Sequence, residues 1–179
     1  MLDAQSEPTV ESKMVYQGRI VNLRVDTVRL PSGRLTTREI AEHSASVCMV
    51  PLDEDDNVLM VRQFRKPIEG DLLEVPAGGV EPGEDPEAAV LRELQEEIGF
   101  TAGALRLLAG FWVTPGWSTE YMYAYLATGL SPASLSPDFD ENISVERVPL
   151  AEVHQMILEG KIKDAKSIAA LLLTLNLKN

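Results

Sequence analysis

The sequence predicts an α+β fold, a layered domain with a mixed β-sheet between helices and an N-terminal β arm. Two observations lead to this class. Short apolar segments separated by turn residues predict strands over most of the chain, and helical spacing appears in three segments only. The strands and helices follow one another without the regular βαβ alternation of a parallel sheet. The 179 residues suffice for one domain with a sizeable core.

The N-terminal segment, residues 1–43, is predicted to be an extended arm. Its polar first ten or so residues are expected to be frayed. Strand-like apolar residues follow from Met14, Pro31-Ser32-Gly33 predicts a turn, and residues 35–41 predict a returning strand. We assign residues 44–179 to the main domain.

The main domain opens with two predicted strands, residues 46–52 and their antiparallel partner, residues 58–64. The acidic residues 53–57 between them predict a hairpin turn, because this run lacks the glycine and the closing glutamate of a calcium loop. Further strands are predicted at 72–75, 105–113, 120–127 and 143–148, a loop at 130–142, and C-terminal helices at 150–159 and 165–175.

The formal net charge of −12 opposes binding to nucleic acid polymers and to anionic membranes. No apolar run is long enough to span a bilayer, and no signal peptide is evident. The single cysteine, Cys48, cannot form an internal disulfide, which is typical of a cytoplasmic protein. A chain this acidic that handles phosphates needs a divalent cation or well-placed arginines.

The clearest helix in the sequence begins after residue 85. Asp85 is predicted to cap it, Pro86 suits its first position, and Gly99 suits its left-handed C-terminal position. Apolar side chains recur at helical spacing, at Ala88, Leu91, Leu94 and Ile98.

The same helix carries an acidic face. Glu93, Glu96 and Glu97 stand at i, i+3 and i+4, so they are predicted to share one side, and Glu84 can fold back towards them. Like charges at this spacing repel, so the face is either simply solvated or used to hold a cation. Clustered carboxylates favour Mg²⁺ or Mn²⁺ over zinc.

The spacing of these residues decides between the two readings. The ordered residues are Gly78, then after five residues Glu84, then after seven residues Arg92-Glu93-Leu94, then Glu96-Glu97, Gly99 and Phe100. This spacing matches the Nudix box at every defined position, and the chain therefore resembles the Nudix hydrolase superfamily, whose members cleave a nucleoside diphosphate linked to another group.

The resemblance implies a Nudix-like α/β/α sandwich that binds Mg²⁺, with Mn²⁺ as a possible substitute. The implied metal ligands are Glu93, Glu96 and Glu97 together with the backbone carbonyl of Ala77, and Glu96 is also a candidate catalytic residue. The implied structural supports of the box are Gly78, Glu84, Arg92 and Gly99.

The resemblance extends to the ADP-ribose pyrophosphatase branch over roughly residues 41–173. Residues 61–67, 72–78, 114–118 and 159–167 look like that branch, with Pro115 at the position that marks it. The branch implies hydrolysis of ADP-ribose, or of a related nucleoside diphosphate sugar, to AMP and ribose 5-phosphate. It also implies a homodimer, in which paired N-terminal arms would protect exposed strand edges.

Relatives of this branch often take their general base from a mobile acidic loop, which here corresponds to residues 136–142. Glu141 is our first choice and Asp140 our second, since a carboxylate can accept a proton from metal-bound water. Arg65 is the first candidate for a phosphate or ribose contact. Further candidates for substrate contacts are Arg62, Trp117, and Arg38, which could reach the substrate of a partner subunit.

Two other functions remain open. The box does not distinguish ADP-ribose from GDP-mannose or another nucleotide sugar, because the base pocket lies elsewhere. A non-catalytic nucleotide-binding sensor is the alternative from another class of protein. The complete set of box acids and the absence of a basic segment disfavour it.

Overall fold

A computed structural model describes residues 6–135 and 143–178 of the chain. Its ten strands and three helices over these residues have the following bounds: β1 Thr9–Gln17, β2 Asn22–Arg29, β3 Leu35–Glu42, β4 Ser46–Pro51, β5 Asn57–Arg65, β6 Gly70–Glu74, β7 Ala77–Gly79, α1 Pro86–Glu93, β8 Phe100–Trp112, β9 Tyr121–Pro132, β10 Ile143–Pro149, α2 Leu150–Leu158 and α3 Ala165–Lys178. A π-helical turn, Leu94–Ile98, continues α1.

The backbone divides into two compact units. The first contains the chain through Ser44 together with Trp112–Glu120. Its core element is an antiparallel sheet in the order β1-β2-β3. All nine residues of β1 are exposed, so this edge strand is covered on neither face within its unit. The expected fraying of the first ten residues is wrong from Thr9 onwards, because β1 pairs with β2 from there.

The second unit contains Ala45–Phe111 and the chain from Tyr121 onwards, and it holds two sheets. One sheet has the order β7-β4-β9-β8 and the other the order β10-β5-β6. β4 runs parallel to β9 and antiparallel to β7, which confirms the predicted mixed sheet. The predicted C-terminal strand and both C-terminal helices are also confirmed.

The prediction that β4 and β5 form a hairpin is wrong beyond the first residue pair after the turn. The turn forms, since the Asp53 side chain accepts hydrogen bonds from the backbone N–H groups of Asp55 and Asn57. Only Leu52 and Val58 then pair, and the two strands enter different sheets. All six residues of β4 are buried, so the backbone N–H and C=O groups along both of its edges need hydrogen-bond partners. It finds them in β7 and β9.

Two other strands are longer than predicted. β8 begins at Phe100 rather than at residue 105, and β9 extends to Pro132, into the segment predicted as a loop. Gly103 and Gly129 face each other where these extensions meet. A Cβ on Gly103 would lie 3.3 Å from the Gly129 carbonyl oxygen, so the absence of a side chain permits this close pairing.

The core of the second unit lies between α1 and the sheet strands. Its buried members are Val47, Met49, Leu59, Val61, Ala89, Val90, Leu94, Ile98, Tyr125 and Ala127. Burial of this one face of α1 fixes the orientation of the polar residues on its other sides. Within the described residues, no helix has the length and apolar character needed to cross a membrane.

Candidate active site

The loop and helix of the box form as the sequence predicts. The Asp85 side chain accepts a hydrogen bond from the Glu87 backbone N–H at 2.9 Å, and Pro86 occupies the first turn of α1. Gly99 ends the helical segment with φ of 73°, a left-handed conformation that favours glycine. The box acids are thus carried on a helix whose two ends are both defined by local sequence.

Arg92 joins the loop to the helix. Its Nε and Nη2 donate to the two carboxylate oxygens of Glu84, both at 3.0 Å, and Nη2 also donates to the Gly79 carbonyl at 2.8 Å. Its Nη1 donates to Glu93 Oε1 at 2.6 Å and to Glu96 Oε2 at 3.0 Å. One guanidinium therefore gathers three of the box carboxylates.

This cluster shifts the protonation equilibria of its members. The hydrogen bonds with Glu84 are the main reason that the pKa of Arg92 is raised, with Glu93 and Glu96 adding to the effect. The same hydrogen bonds hold the pKa of Glu84 below its ordinary value. Glu84 thus stays ionised at neutral pH and keeps the loop attached to the helix.

Gly78 makes room for Glu93. A Cβ added to Gly78 would overlap the Glu93 carboxylate, so only glycine fits without moving that side chain. Gly78 pairs with Val47 of the central strand β4. The backbone at Gly78 is therefore held by the sheet while it lies against an acidic side chain of α1.

Glu97 is more buried than the other helix acids, and like Glu93 it contacts β7, which agrees with the predicted placement of these two acids on one side of the helix. Glu97 is only 7% exposed, and its Oε2 accepts a hydrogen bond from the Ala77 backbone N–H at 3.0 Å. The π-helical turn over Leu94–Ile98 changes the angular spacing of the side chains that follow Glu93. Glu97 is thereby directed at the strand segment just before Gly78.

A second charged cluster lies in the same unit and was not anticipated from the sequence. Arg65 Nε and Nη2 donate to the two oxygens of Glu74 at 3.0 and 2.6 Å. Lys166 Nζ contacts Glu74 Oε2 at 2.5 Å and Asp164 Oδ1 at 2.9 Å. The available signal was Glu74 itself, a carboxylate inside an apolar strand segment, because such a buried charge requires partners.

Burial alone would raise the pKa of Glu74. The hydrogen bond from Arg65 and the charge of Lys166 outweigh that effect, so its pKa lies below the ordinary value. Glu74 is consequently an ionised carboxylate in the interior of the unit, held by two cations.

The other two predicted substrate arginines, Arg62 and Arg38, are also paired with carboxylates. Arg62 of β5 forms a two-point contact with Glu146 of β10, which lowers the pKa of Glu146. Arg38 belongs to the first unit, where its Nε and Nη2 donate to Glu7 at 2.9 and 2.8 Å. Arg38 and Trp117 line one pocket of about 460 Å³ in that unit. The two base candidates, Glu141 and Asp140, lie outside the described residues.

Comparison with known proteins settles the family. Residues 42–171 match the model of the NUDIX domain. The chain belongs to the Nudix hydrolase family. Residues 7–40 of this Nudix hydrolase match a second model, the nucleoside diphosphate sugar hydrolase N-terminal domain.

Relatives of the Nudix hydrolase match nearly its whole length. It is 35% identical to the ADP-ribose pyrophosphatase of Bacillus subtilis (strain 168), over 92% of this chain and 90% of that protein. It is 37% identical to the methanol dehydrogenase activator of Bacillus methanolicus, with the same coverage. A crystal structure of an ADP compounds hydrolase superposes with a TM-score of 0.89 at 25% identity, covering 99% of this chain and 96% of the other.

Proposed function

We propose that this Nudix hydrolase cleaves the pyrophosphate bond of ADP-ribose, or of a closely related nucleoside diphosphate sugar, in a Mg²⁺-dependent reaction. With ADP-ribose the products are AMP and ribose 5-phosphate. The observation that carries the proposal is the gathering of Glu84, Glu93 and Glu96 around Arg92, beside a buried Glu97 bound to the Ala77 backbone. The ADP-ribose pyrophosphatases among the relatives support the substrate.

The donor set fits a hard divalent cation. Glu93, Glu96, Glu97 and the Ala77 carbonyl would hold Mg²⁺ or Mn²⁺, both of which prefer oxygen ligands. Within the described ranges no three Asp, Glu, His or Cys side chains are already arranged as a metal site. Arg92 contacts one oxygen of Glu93 and one of Glu96. A carboxylate accepts through two oxygens, so a cation can share these groups with the guanidinium.

The chain's own residues then supply positioning and charge. A bound divalent cation would neutralise the pyrophosphate charge and ease deprotonation of an attacking water. Arg65 and Arg62 are proposed to contact the phosphates or ribose, since a guanidinium suits phosphate oxygens. Arg92 and Glu84 keep the loop and helix in register through their paired hydrogen bonds.

We propose that Trp117 flanks the nucleotide of a bound substrate and that Arg38 contacts the substrate of a partner subunit; both residues line one pocket of the first unit. Its volume of about 460 Å³ falls within the range of about 300–1,000 Å³ typical of small-molecule sites. Trp117 is exposed and offers a flat apolar surface, and Arg38 offers a cation.

Trp117→Ala should raise KM for ADP-ribose while leaving kcat within about threefold, because the lost contact would bind the substrate and the transition state equally well.

Incubation with ADP-ribose and Mg²⁺ followed by chromatographic product analysis tests the proposed reaction. AMP and ribose 5-phosphate in equal amounts, and no products when EDTA replaces Mg²⁺, are expected. Glu97→Gln should lower kcat at least about 100-fold, since even outer partners of metal ligands are worth about 10–100-fold. Other products, or turnover unaffected by EDTA, would contradict the proposal.

The general base is proposed to be Glu141, with Asp140 as second choice. A carboxylate is suited to accept the proton of an activated water, and such a base contributes about 10²–10⁴-fold. Glu141→Gln should therefore lower kcat by about this factor with little change in KM. If Asp140→Asn has the larger effect, the assignment passes to Asp140.

GDP-mannose is the second candidate substrate. The chain is 33% identical to the GDP-mannose pyrophosphatase of Yersinia enterocolitica over 64% of its length. Comparison of kcat/KM across ADP-ribose, GDP-mannose, diadenosine polyphosphates and oxidised deoxynucleoside triphosphates separates the substrates. The sensor alternative predicts a wild-type protein that binds a nucleotide and is as inactive as Glu97→Gln.

We also propose that the enzyme is a homodimer paired through its N-terminal arm. The support is β1, an edge strand whose nine residues are all exposed, among them Val10, Met14 and Tyr16. Light scattering should give about twice the 19.7 kDa chain mass. The variant Val10→Lys/Met14→Lys should be monomeric at the same concentration. A monomeric wild type would refute the dimer.

A further inference from the structure

Four side chains of the second unit form a row of alternating charges. The row runs from Arg65, whose side chain is 39% exposed, through Glu74, which is 2% exposed, to Lys166 and then Asp164. The predicted substrate contact, Arg65, is therefore the exposed end of a buried network. The other three members have no assigned role in the hydrolysis.

Glu74 restricts the guanidinium of Arg65. Its two oxygens take the Nε and Nη2 side of the group, and such a two-point contact fixes the plane of the guanidinium as well as its position. Arg65 Nη1 makes no hydrogen bond with another described residue. Nη1 carries two donors on a partly exposed side chain, which suits it to an anionic oxygen of a ligand.

Lys166 adds a second cation to the same carboxylate. Its Nζ contacts Glu74 Oε2, the oxygen that also accepts from Arg65 Nη2. Lys166 therefore holds in place the same carboxylate oxygen to which Arg65 Nη2 is bonded. It thus helps to maintain the orientation that Glu74 imposes on Arg65.

The far end of the row is tied to the backbone. Asp164 Oδ1 accepts from Lys166 Nζ and from the Ser167 backbone N–H, which caps the start of α3. The Ser167 hydroxyl in turn accepts a hydrogen bond from the Val75 backbone N–H at 2.8 Å. The segment that follows Glu74 is therefore fastened to the helix that carries Lys166.

We propose that Glu74 is a positioning residue of the hydrolysis: held by Lys166, it orients the Arg65 guanidinium to bind a phosphate of the substrate. An ion pair placed in the interior for stability alone gains little, because desolvation offsets its Coulomb attraction. The buried charges of Glu74 and Lys166 would instead serve to hold the guanidinium of Arg65 in one orientation. The inference rests on the proposed function, in which Arg65 contacts the substrate.

The test is a double-mutant cycle on Arg65 and Glu74, read out as KM and kcat for ADP-ribose and as its Kd by calorimetry. Arg65→Ala and Glu74→Gln should each raise KM and Kd about tenfold, which corresponds to about 1.4 kcal/mol, because each removes or misorients a charge-assisted hydrogen bond to the substrate. In the Arg65→Ala background, Glu74→Gln should add no further change. Tm is measured for each variant.

Matched controls are Glu69→Gln and Lys161→Met, which remove a carboxylate and an ammonium from exposed ion pairs of the same unit. Both should keep the wild-type KM. Lys166→Met retains the Arg65–Glu74 pair and should raise KM about threefold, half of the tenfold effect on a logarithmic scale. If Glu74→Gln does not fold, the KM of Lys166→Met tests the inference in its place. A purely structural Glu74 would lower Tm and change KM equally in both Arg65 backgrounds, which would overturn the inference.

The outcomes separate this inference from the proposed function. If Arg65→Ala raises KM but Glu74→Gln and Lys166→Met do not, the positioning role is wrong and the hydrolase proposal stands. If Arg65→Ala leaves KM and Kd unchanged, Arg65 is no substrate contact and the positioning role falls with it. If the wild type neither hydrolyses nor binds ADP-ribose or GDP-mannose, both proposals fail.

Discussion

At the scale of single residues, Arg92 has the largest number of roles in the box. It contacts Glu84, Glu93, Glu96 and the Gly79 carbonyl at the same time. A lysine carries the same charge but lacks the planar fork needed for several directed hydrogen bonds. Arg92→Lys should therefore lower the free energy of unfolding by about 2 kcal/mol, within the range of hydrogen bonds to charged groups. It should also lower kcat more than about tenfold, because Glu93 and Glu96 lose their common partner.

Urea unfolding and steady-state hydrolysis of ADP-ribose measure these two effects. Arg147→Lys is the matched control, since Arg147 is largely exposed and its contact with Asp53 is distant, at 3.7 Å. It should match the wild type in both assays. An Arg92→Lys variant with unchanged stability and turnover would show that charge alone, without the forked geometry, suffices at this position.

Cys48 gives a second prediction at this scale. Burial in β4 is the main cause that raises the pKa of its thiol to about 12. The reactive thiolate is then only about one in 10⁴ molecules at pH 8. Thiol reagents should leave the native protein unlabelled at pH 8 and label it once per chain in concentrated urea, as mass spectrometry can determine. Rapid labelling of the native protein would mean that β4 opens readily.

The contacts that could not be predicted from the sequence join residues that are far apart along the chain. Glu84 and Arg92 are separated by only eight positions, and the resemblance to the Nudix box implied that both support the loop and helix. Glu74 and Lys166 are separated by 92 positions and meet only because α3 packs near the end of β6. Their contact depends on the tertiary fold, which no local pattern records. The catalytic roles assigned to the box residues remain predictions for the same assays.

At the scale of elements, the junction between β7 and α1 depends on close approach. The backbone of Gly78 is held in β7 by pairing with β4 while the Glu93 carboxylate lies against it. Gly78→Ala should push Glu93 away, at a cost of about 1–3 kcal/mol in the free energy of unfolding, as for other overpacked sites. kcat for ADP-ribose should fall by more than about tenfold, because Glu93 is a proposed metal ligand.

Thermal unfolding and turnover of the alanine variant measure both effects. Gly70→Ala in β6 is the control, because the nearest atom to its added Cβ would be 3.7 Å away, an ordinary contact. Its stability and kcat should stay close to those of the wild type. Full activity of Gly78→Ala would indicate that Glu93 can function away from its present position.

Helix α1 and strand β4 show why elements differ in how well a sequence predicts them. The start of α1 follows from Asp85 and Pro86 and its end region from Gly99, all within the segment itself. The partner strands of β4 follow from burial on both faces, and β9 lies some 76 residues further along the chain. The turn at residues 53–57 was predicted correctly, but the hairpin pairing of β4 with β5 was not, because turn geometry does not determine which sheet each strand joins.

At the scale of the whole molecule, the fold class was predictable because it depends on the overall order of strands and helices. The α+β class and the mixed sheet required only that order. The division of the second unit into two sheets depends on long-range pairing, and so does the buried contact of Glu74 in β6 with Lys166 in α3. Such charges link the folding of the unit to pH, since they are paired only in the folded chain.

The pH dependence of stability follows from the lowered pKa of Glu74. Although burial raises it, Arg65 and Lys166 keep the folded pKa below the ordinary value of 4.5. Above pH 4.5 the carboxylate is ionised in both states, so its contribution to stability is complete. As pH falls from 4.5 through the folded pKa, the unfolded chain binds the proton more readily and the contribution is lost. The gap in free energy of unfolding between wild type and Glu74→Gln should therefore narrow below pH 4.5.

Urea unfolding at pH 6, 5, 4 and 3 measures that gap. Ser167→Ala is the control, since it leaves the Val75 N–H without its partner and removes no titrating group. Its deficit of about 1–3 kcal/mol, the cost of an unsatisfied buried donor, should stay constant over the same pH range. A Glu74→Gln deficit that is equally constant would mean that Glu74 has the same proton affinity in the folded and unfolded chains. Arg65 and Lys166 would then not stabilise its ionised form.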